Sequence, residues 1–113
     1  MDDVSVTDFT AVVQRIRMQA NADEFRITQH AHQEMVEEEI TLDLLQEAIA
    51  SCQLLENYPQ HLRGAGCLLN GQTRGGRPLH IVCTTAQPVL IVITVYEPQF
   101  PKWITPTQRR EQP

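Results

Sequence analysis

From Thr7 to about Gln19 the apolar residues Phe9, Val12, Val13, Ile16 and Met18 recur at helical spacing, and Thr7 or Asp8 stands where an N-cap belongs. The spacing predicts a first amphipathic helix. Thr28 then precedes QHAHQEMVEEE, in which Ala31, Met35 and Val36 share one stripe, so a second helix of about three turns is expected. Thr41 caps a third, LDLLQEAIAS, whose inner face is Leu42, Leu45, Ala48 and Ile49. The short Ile40-Thr41 junction makes the second and third helices a bent pair.

After Ser51 the period changes. QLLENY, GCLLNGQT, RPLHIVCTT and PVLIVITVYE are short, apolar or β-branched at their centres, and separated by turn residues in YPQHLRG, RGGR and TAQP. They predict four strands in an antiparallel meander. Val89 to Val95 is apolar almost throughout, as expected of a central strand covered on both sides, by helices on one face and a partner on the other. The last segment, FPKWITPTQRREQP, carries three prolines among polar residues and reads as an extended tail. The expected architecture is α+β: two to three N-terminal helices on one face of a four-stranded antiparallel β-meander, one domain over residues 1–104, with 105–113 an extended polar tail.

Composition narrows the class. With 113 residues and 42% hydrophobic content, the chain can bury a core of its own. No run approaches the roughly 18–20 apolar residues of a membrane span, and the acidic start MDDVSVTDFT is no secretory signal, so a cytoplasmic location without membrane contact is expected. Cys52, Cys67 and Cys83 are odd in number and widely spaced, which predicts buried thiols rather than a disulfide framework or a zinc ribbon. Charge is divided: residues 1–60 hold twelve acidic and three basic side chains (net −9), residues 61–113 two acidic and six basic (net +4), together the −5 of the whole. An acidic chain of pI near 5.2 is no general nucleic-acid binder. Its basic half, with Arg63, Arg74, Arg77, Lys102, Arg109 and Arg110, still allows a local anion site.

ITQHAHQEM with the following helix, then LLENYP, RGAGCLLNG, GRPLHIV and IVITVYEP, resembles the family named domain of unknown function 4258. The resemblance covers about residues 25–110 and is especially close to a bacterial subgroup ending PKWITPTQRR. It implies a small toxin-like ribonuclease of the barnase, colicin and RelE type, with RNA as substrate and an antitoxin of zinc-finger or helix-turn-helix type as partner. His30 matches the family's helix histidine, His80 its strand histidine, Arg77 an arginine at the preceding turn and Tyr96 a tyrosine ending the last strand. Where many members carry an arginine four residues after the helix histidine, this chain has Glu34, which removes a phosphate clamp.

Metal-free RNA cleavage needs a base for the 2′-hydroxyl, an acid for the leaving oxygen and a cation for the crowded phosphorane. The candidate catalytic residues are His30, Glu34, His80 and Tyr96, with Arg63 and Arg77 as candidate phosphate binders. His30 and Glu34 are four apart and face the same way on a helix, and strand pairing can set Tyr96 beside His80. Glu37, Glu38 and Glu39 sit near a helix C-terminus and read as a solvated face. His30, His32 and Glu34 are two apart in turn, so they cannot converge on a metal, and neither metal nor cofactor is expected. Trp103 is read as docking the tail on the sheet.

Two other classes compete with the enzyme. One is a non-catalytic protein-binding module of the same fold, its acidic helices engaging a basic partner. The other is a homodimer built through the apolar sheet and the tail.

Overall fold

The computed structural model describes residues 9–22, 24–60, 64–85 and 88–110. The expected caps Thr7 and Asp8, and the expected phosphate binder Arg63, lie outside them. The elements run α1 (Phe9–Asn21), β1 (Phe25–Ile27), α2 (Gln29–Glu37), α3 (Leu42–Ala50), β2 (Gln53–Tyr58), β3 (Gly66–Gln72), β4 (Pro78–Thr84), β5 (Leu90–Tyr96), β6 (Trp103–Thr105) and β7 (Gln108–Arg109). The three helices and the four longer strands stand where the periodicities place them. The meander does not stay four-stranded: the sheet has five strands in the order β1-β5-β4-β3-β2 and is mixed, because β1 pairs parallel to β5. Three residues, Phe25-Arg26-Ile27, are too few for alternation to announce a strand; the β5 edge recruits them. The C-terminal segment is not extended either, since β6 and β7 pair as an antiparallel hairpin.

Local chemistry fixes the α2–α3 pair. The Thr28 and Thr41 hydroxyls each accept from the amide three residues on, Ala31 and Leu44, both at 3.1 Å. At the other end of α2, Ile40 N–H donates to Met35 C=O at 2.8 Å and Glu39 N–H to Val36 C=O at 3.3 Å, the paired bonds of a Schellman closure. Glu39 takes the left-handed position, φ 56°, that glycine usually fills. Ile40 is thereby turned into the core beside Met35.

One face of the sheet carries the core. Cys67, Leu69, Leu79, Ile81, Cys83, Leu90, Val92 and Val95 pack against Ile16 and Ala20 of α1, Ala31 and Met35 of α2, and Leu45, Ala48 and Ile49 of α3. The three cysteines are buried free thiols. Two bulges break the alternation that built this face. In β2, Leu54 pairs with Leu69 but Glu56 pairs with Leu68, leaving Leu55 extra. In β5, Val92 pairs with Cys83 but Thr94 pairs with Val82, leaving Ile93 extra. Each inserted residue shifts the side-chain phase by one, so Glu56, Tyr58, Thr94 and Tyr96 turn to the far face with His80.

The helix layer approaches closely at β3, where a Cβ on Gly71 would lie 1.9 Å from the Ala48 carbonyl oxygen. Gly71→Ala therefore forces α3 from the sheet, and we expect a stability loss of about 3 kcal/mol or more in urea unfolding. A loss under about 1 kcal/mol would show that this contact is loose.

Candidate functional site

His80 lies on the far side of the sheet from the helices and is fully buried. Its register partner is Tyr96, and their rings meet edge to face, with centroids 5.2 Å apart. On the other side the Trp103 ring stands edge-on at 4.3 Å, so the β6–β7 hairpin closes over the imidazole. Pro106, in the hairpin turn, sets its carbonyl oxygen 2.6 Å from His80 Nε2. A carbonyl only accepts, so Nε2 carries the hydrogen and Nδ1 is left to accept from the Tyr96 hydroxyl at 3.1 Å. Burial holds the imidazole pKa below its ordinary value, against the opposing pull of the Pro106 carbonyl and the Glu56 charge.

A second cluster borders the first. Glu56 accepts from Arg109 Nη2 at 2.8 Å and Nε at 3.1 Å, a bidentate pair, and also accepts from the Tyr58 hydroxyl. The Arg109 guanidinium lies over the Trp103 ring, 4.6 Å from its centroid. Arg109 holds the Glu56 carboxyl below the usual carboxylate value, outweighing burial, and Tyr58 adds to the effect. Burial and the neighbouring carboxylate push the Tyr58 phenol up. Burial also raises Tyr96, while the Trp103 indole N–H and Arg109 pull it down. That indole nitrogen is buried beside the phenol without closing a hydrogen bond of ordinary geometry. At neutral pH the face thus holds a carboxylate, two phenols, a neutral imidazole and a guanidinium.

The remaining residues expected at the site are elsewhere. His30 is exposed on α2, its Nε2 3.5 Å from Glu34 Oε1, as the spacing of four predicts. Glu34 is engaged with the sheet edge: its Oε1 accepts from the Thr94 hydroxyl and from Val95 N–H at 2.9 Å. Glu38, expected only to be solvated, does the same for Glu97 N–H at 2.9 Å. Arg77 clamps the end of α2, donating to the Glu38 and Glu39 carbonyls at 2.6 and 3.1 Å and to the Glu97 carboxylate at 2.7 Å. Among the described residues, His30 therefore meets Glu34, and Arg77 meets the α2 terminus and Glu97, rather than the His80–Tyr96 pair. No three His, Cys, Asp or Glu side chains among the described residues are placed to hold a metal ion, and no helix there is long and apolar enough to cross a membrane.

Compared with known families, residues 27–97 match the family model described as domain of unknown function, DUF4258. The chain belongs to that family. No curated protein and no solved structure matches it. The DUF4258 segment runs from the last residue of β1 through β5, so it contains Glu56, Tyr58, His80 and Tyr96, whereas Trp103, Pro106 and Arg109 come from the hairpin beyond it.

Three residues of the site, Glu56, Tyr58 and Arg109, were not legible in the sequence. Glu56 and Tyr58 alternate, which announces a shared face but not which one, because the bulge at Leu55 decides that. Arg109 counted only as part of a basic half; Trp-Ile-Thr before Pro-Thr and Gln-Arg was the available hairpin signal.

Two outcomes test these assignments. Glu34→Ala leaves the Val95 amide unpaired at a half-buried edge, and we expect a loss of about 1.5–3 kcal/mol in urea unfolding. A change within about 0.5 kcal/mol would remove the edge role. His80, whose folded pKa is lowered from 6.5, adds stability that is complete above the unfolded value and lost as pH falls through the folded one. Glu56, lowered from 4.5, acts in the same direction but in a more acidic window. Unfolding free energy should therefore begin to fall below about pH 6.5, and in His80→Gln only at the carboxylate window. Identical pH profiles for the two proteins would contradict this.

Proposed function

We propose that this DUF4258 chain is a toxin-like ribonuclease of the barnase and RelE type that cleaves RNA with side chains alone. The observation that carries the reading is the adjacency on one sheet face of two hydrogen-bonded groups, Glu56 with Tyr58 and Arg109, and His80 with Tyr96. A substrate phosphate competes with Glu56 for the Arg109 guanidinium. As it wins, Glu56 loses the group that depresses its pKa and becomes the stronger base. Glu56 then takes the 2′-hydroxyl proton, the 2′-oxygen attacks phosphorus, and the bond to the 5′-oxygen breaks. Tyr96 gives its hydroxyl proton to that oxygen, while His80, protonated beside the bound phosphate, replaces it through Nδ1. The products are a 2′,3′-cyclic phosphate and a 5′-hydroxyl end.

The exposed surface of α2 and α3 supports the second part of the reading, a basic antitoxin partner in the bacterial cytoplasm. Val36 and Leu42 stand exposed among the exposed acids Glu37, Glu39 and Asp43. The same surface would serve a non-catalytic binding module, and the complete burial of His80 favours that rival.

Purified protein incubated with single-stranded RNA is expected to leave 2′,3′-cyclic phosphate ends, and Glu56→Gln to slow cleavage by about 10²–10⁴-fold at a temperature where both proteins are folded. Equal cleavage by the parent and the variant would dismiss Glu56 as the base. Absence of cleavage by the parent, with salt-sensitive binding of a basic peptide that Glu37→Lys/Asp43→Lys weakens, would favour the binding module.

A further inference from the structure

The hairpin that closes the site also presents an outer surface that is both basic and apolar. From Pro98 to Arg110 there are three cations, Lys102, Arg109 and Arg110, and no acid, in a protein of net charge −5. Arg109 is turned inward to Glu56; among the described residues neither Lys102 nor Arg110 forms an ion pair. Phe100 is 72% exposed and Ile104 50%, while Trp103 between them is buried. The Arg110 guanidinium stands 6.0 Å from the Phe100 ring centroid, leaving most of the ring open to water. The Arg110 amide donates to the Lys102 carbonyl at 2.9 Å, which brings the two cationic residues together across the hairpin base.

We propose that this hairpin is a binding arm for single-stranded RNA, taking one base on the Phe100 ring and the flanking phosphates on Lys102 and Arg110. An aromatic face beside unpaired cations is the combination that holds a single strand: the ring stacks any base, and the cations follow the backbone. Charge selects the polyanion, and the ring selects one whose bases are unpaired. Trp103, Pro106 and Arg109 of the same hairpin contact His80 and Glu56, so the arm and the site are built on one element. The proposal rests on the ribonuclease reading for its choice of RNA, and it extends that reading with a binding surface outside the family match.

The test is fluorescence anisotropy with a labelled, uridine-rich, fully 2′-O-methylated single-stranded RNA, which has no free hydroxyl for self-attack. Phe100→Ala is expected to weaken binding about tenfold. Lys102→Gln/Arg110→Gln should weaken it and reduce the slope of log affinity against log salt by about 1.4, or about 0.7 for each phosphate released. Emission from Trp103, the single tryptophan, reports whether the hairpin stays docked, so a variant that merely loosens it is recognised and replaced by Phe100→Leu. Unchanged affinity in docked variants, or no binding of the parent at low salt, would overturn the proposal. So would tight binding of polyglutamate but not RNA through the same cations, which would assign the arm to an acidic protein. Two readouts separate the two ideas: anisotropy on the methylated strand reads the arm, and cleavage of unmodified RNA reads the groups around Glu56. RNA binding through the arm without cleavage of unmodified RNA would sink the ribonuclease reading alone, and cleavage indifferent to the arm variants would sink the arm alone.

Discussion

A strand must send successive side chains to opposite faces, and the site exists because that rule is interrupted twice. Were Leu55 paired regularly, Glu56 would share the core face with Leu54 and stand opposite Cys67. Were Ile93 paired regularly, Thr94 and Tyr96 would continue the phase of Leu90 and Val92 into the helices. Either outcome buries polar groups among alkyl chains at a cost of several kcal/mol, so the bulges and the polar residues specify one another. The core keeps its alternation in β4, where Leu79, Ile81 and Cys83 face the helices and His80 does not. The two bulged strands supply partners to that fixed histidine and to Arg109.

This is also why the sequence discloses the fold better than the site. Helices announced themselves through Thr28 and Thr41 as caps and through apolar stripes, and the four longer strands through their apolar or β-branched centres. The His80–Tyr96 contact was legible because pairing of neighbouring strands brings such residues together without knowledge of the core. Glu56 and Tyr58 were not legible as partners of His80, since one inserted residue is invisible to a period-two pattern yet reverses its meaning. The short strands β1 and β6 lacked length to show any period. Arg77 and Glu34 misled in a different way: both have the chemistry of a phosphate site or an acid–base pair, and both are held by backbone groups that only the tertiary fold exposes.

Those backbone groups follow from the mixed sheet. β1 covers β5 only as far as Val92, after which the β5 edge would be left with unpaired amides. Thr28 carries the pairing one step further, its N–H donating to the Val92 carbonyl and its hydroxyl to the Ile93 carbonyl, both at 3.0 Å. The chain then turns into α2, and carboxylates from successive turns of the helix, Glu34 and Glu38, accept the amides of Val95 and Glu97. An arginine at position 34 could not do this, because a guanidinium has no acceptor for an amide hydrogen. The acidic choice there thus serves the edge, pairing the amide next to Tyr96 on the strand that sets that phenol opposite His80.

The same economy of partners couples the site to the hairpin. His80 has two ring nitrogens and uses both, one on Tyr96 and one on Pro106, so the imidazole cannot change its proton state without changing what one of them meets. Protonation places a hydrogen on Nδ1, and the Tyr96 hydroxyl must rotate from donor to acceptor, freeing its own proton for another oxygen. The Nε2–H bond to Pro106 survives that change and grows stronger with the charge. A protonated His80 therefore keeps the hairpin docked while it rearms Tyr96 as a donor. One buried side chain thus links the proton state of the far face to the orientation of the Tyr96 hydroxyl and leaves the hairpin contact in place.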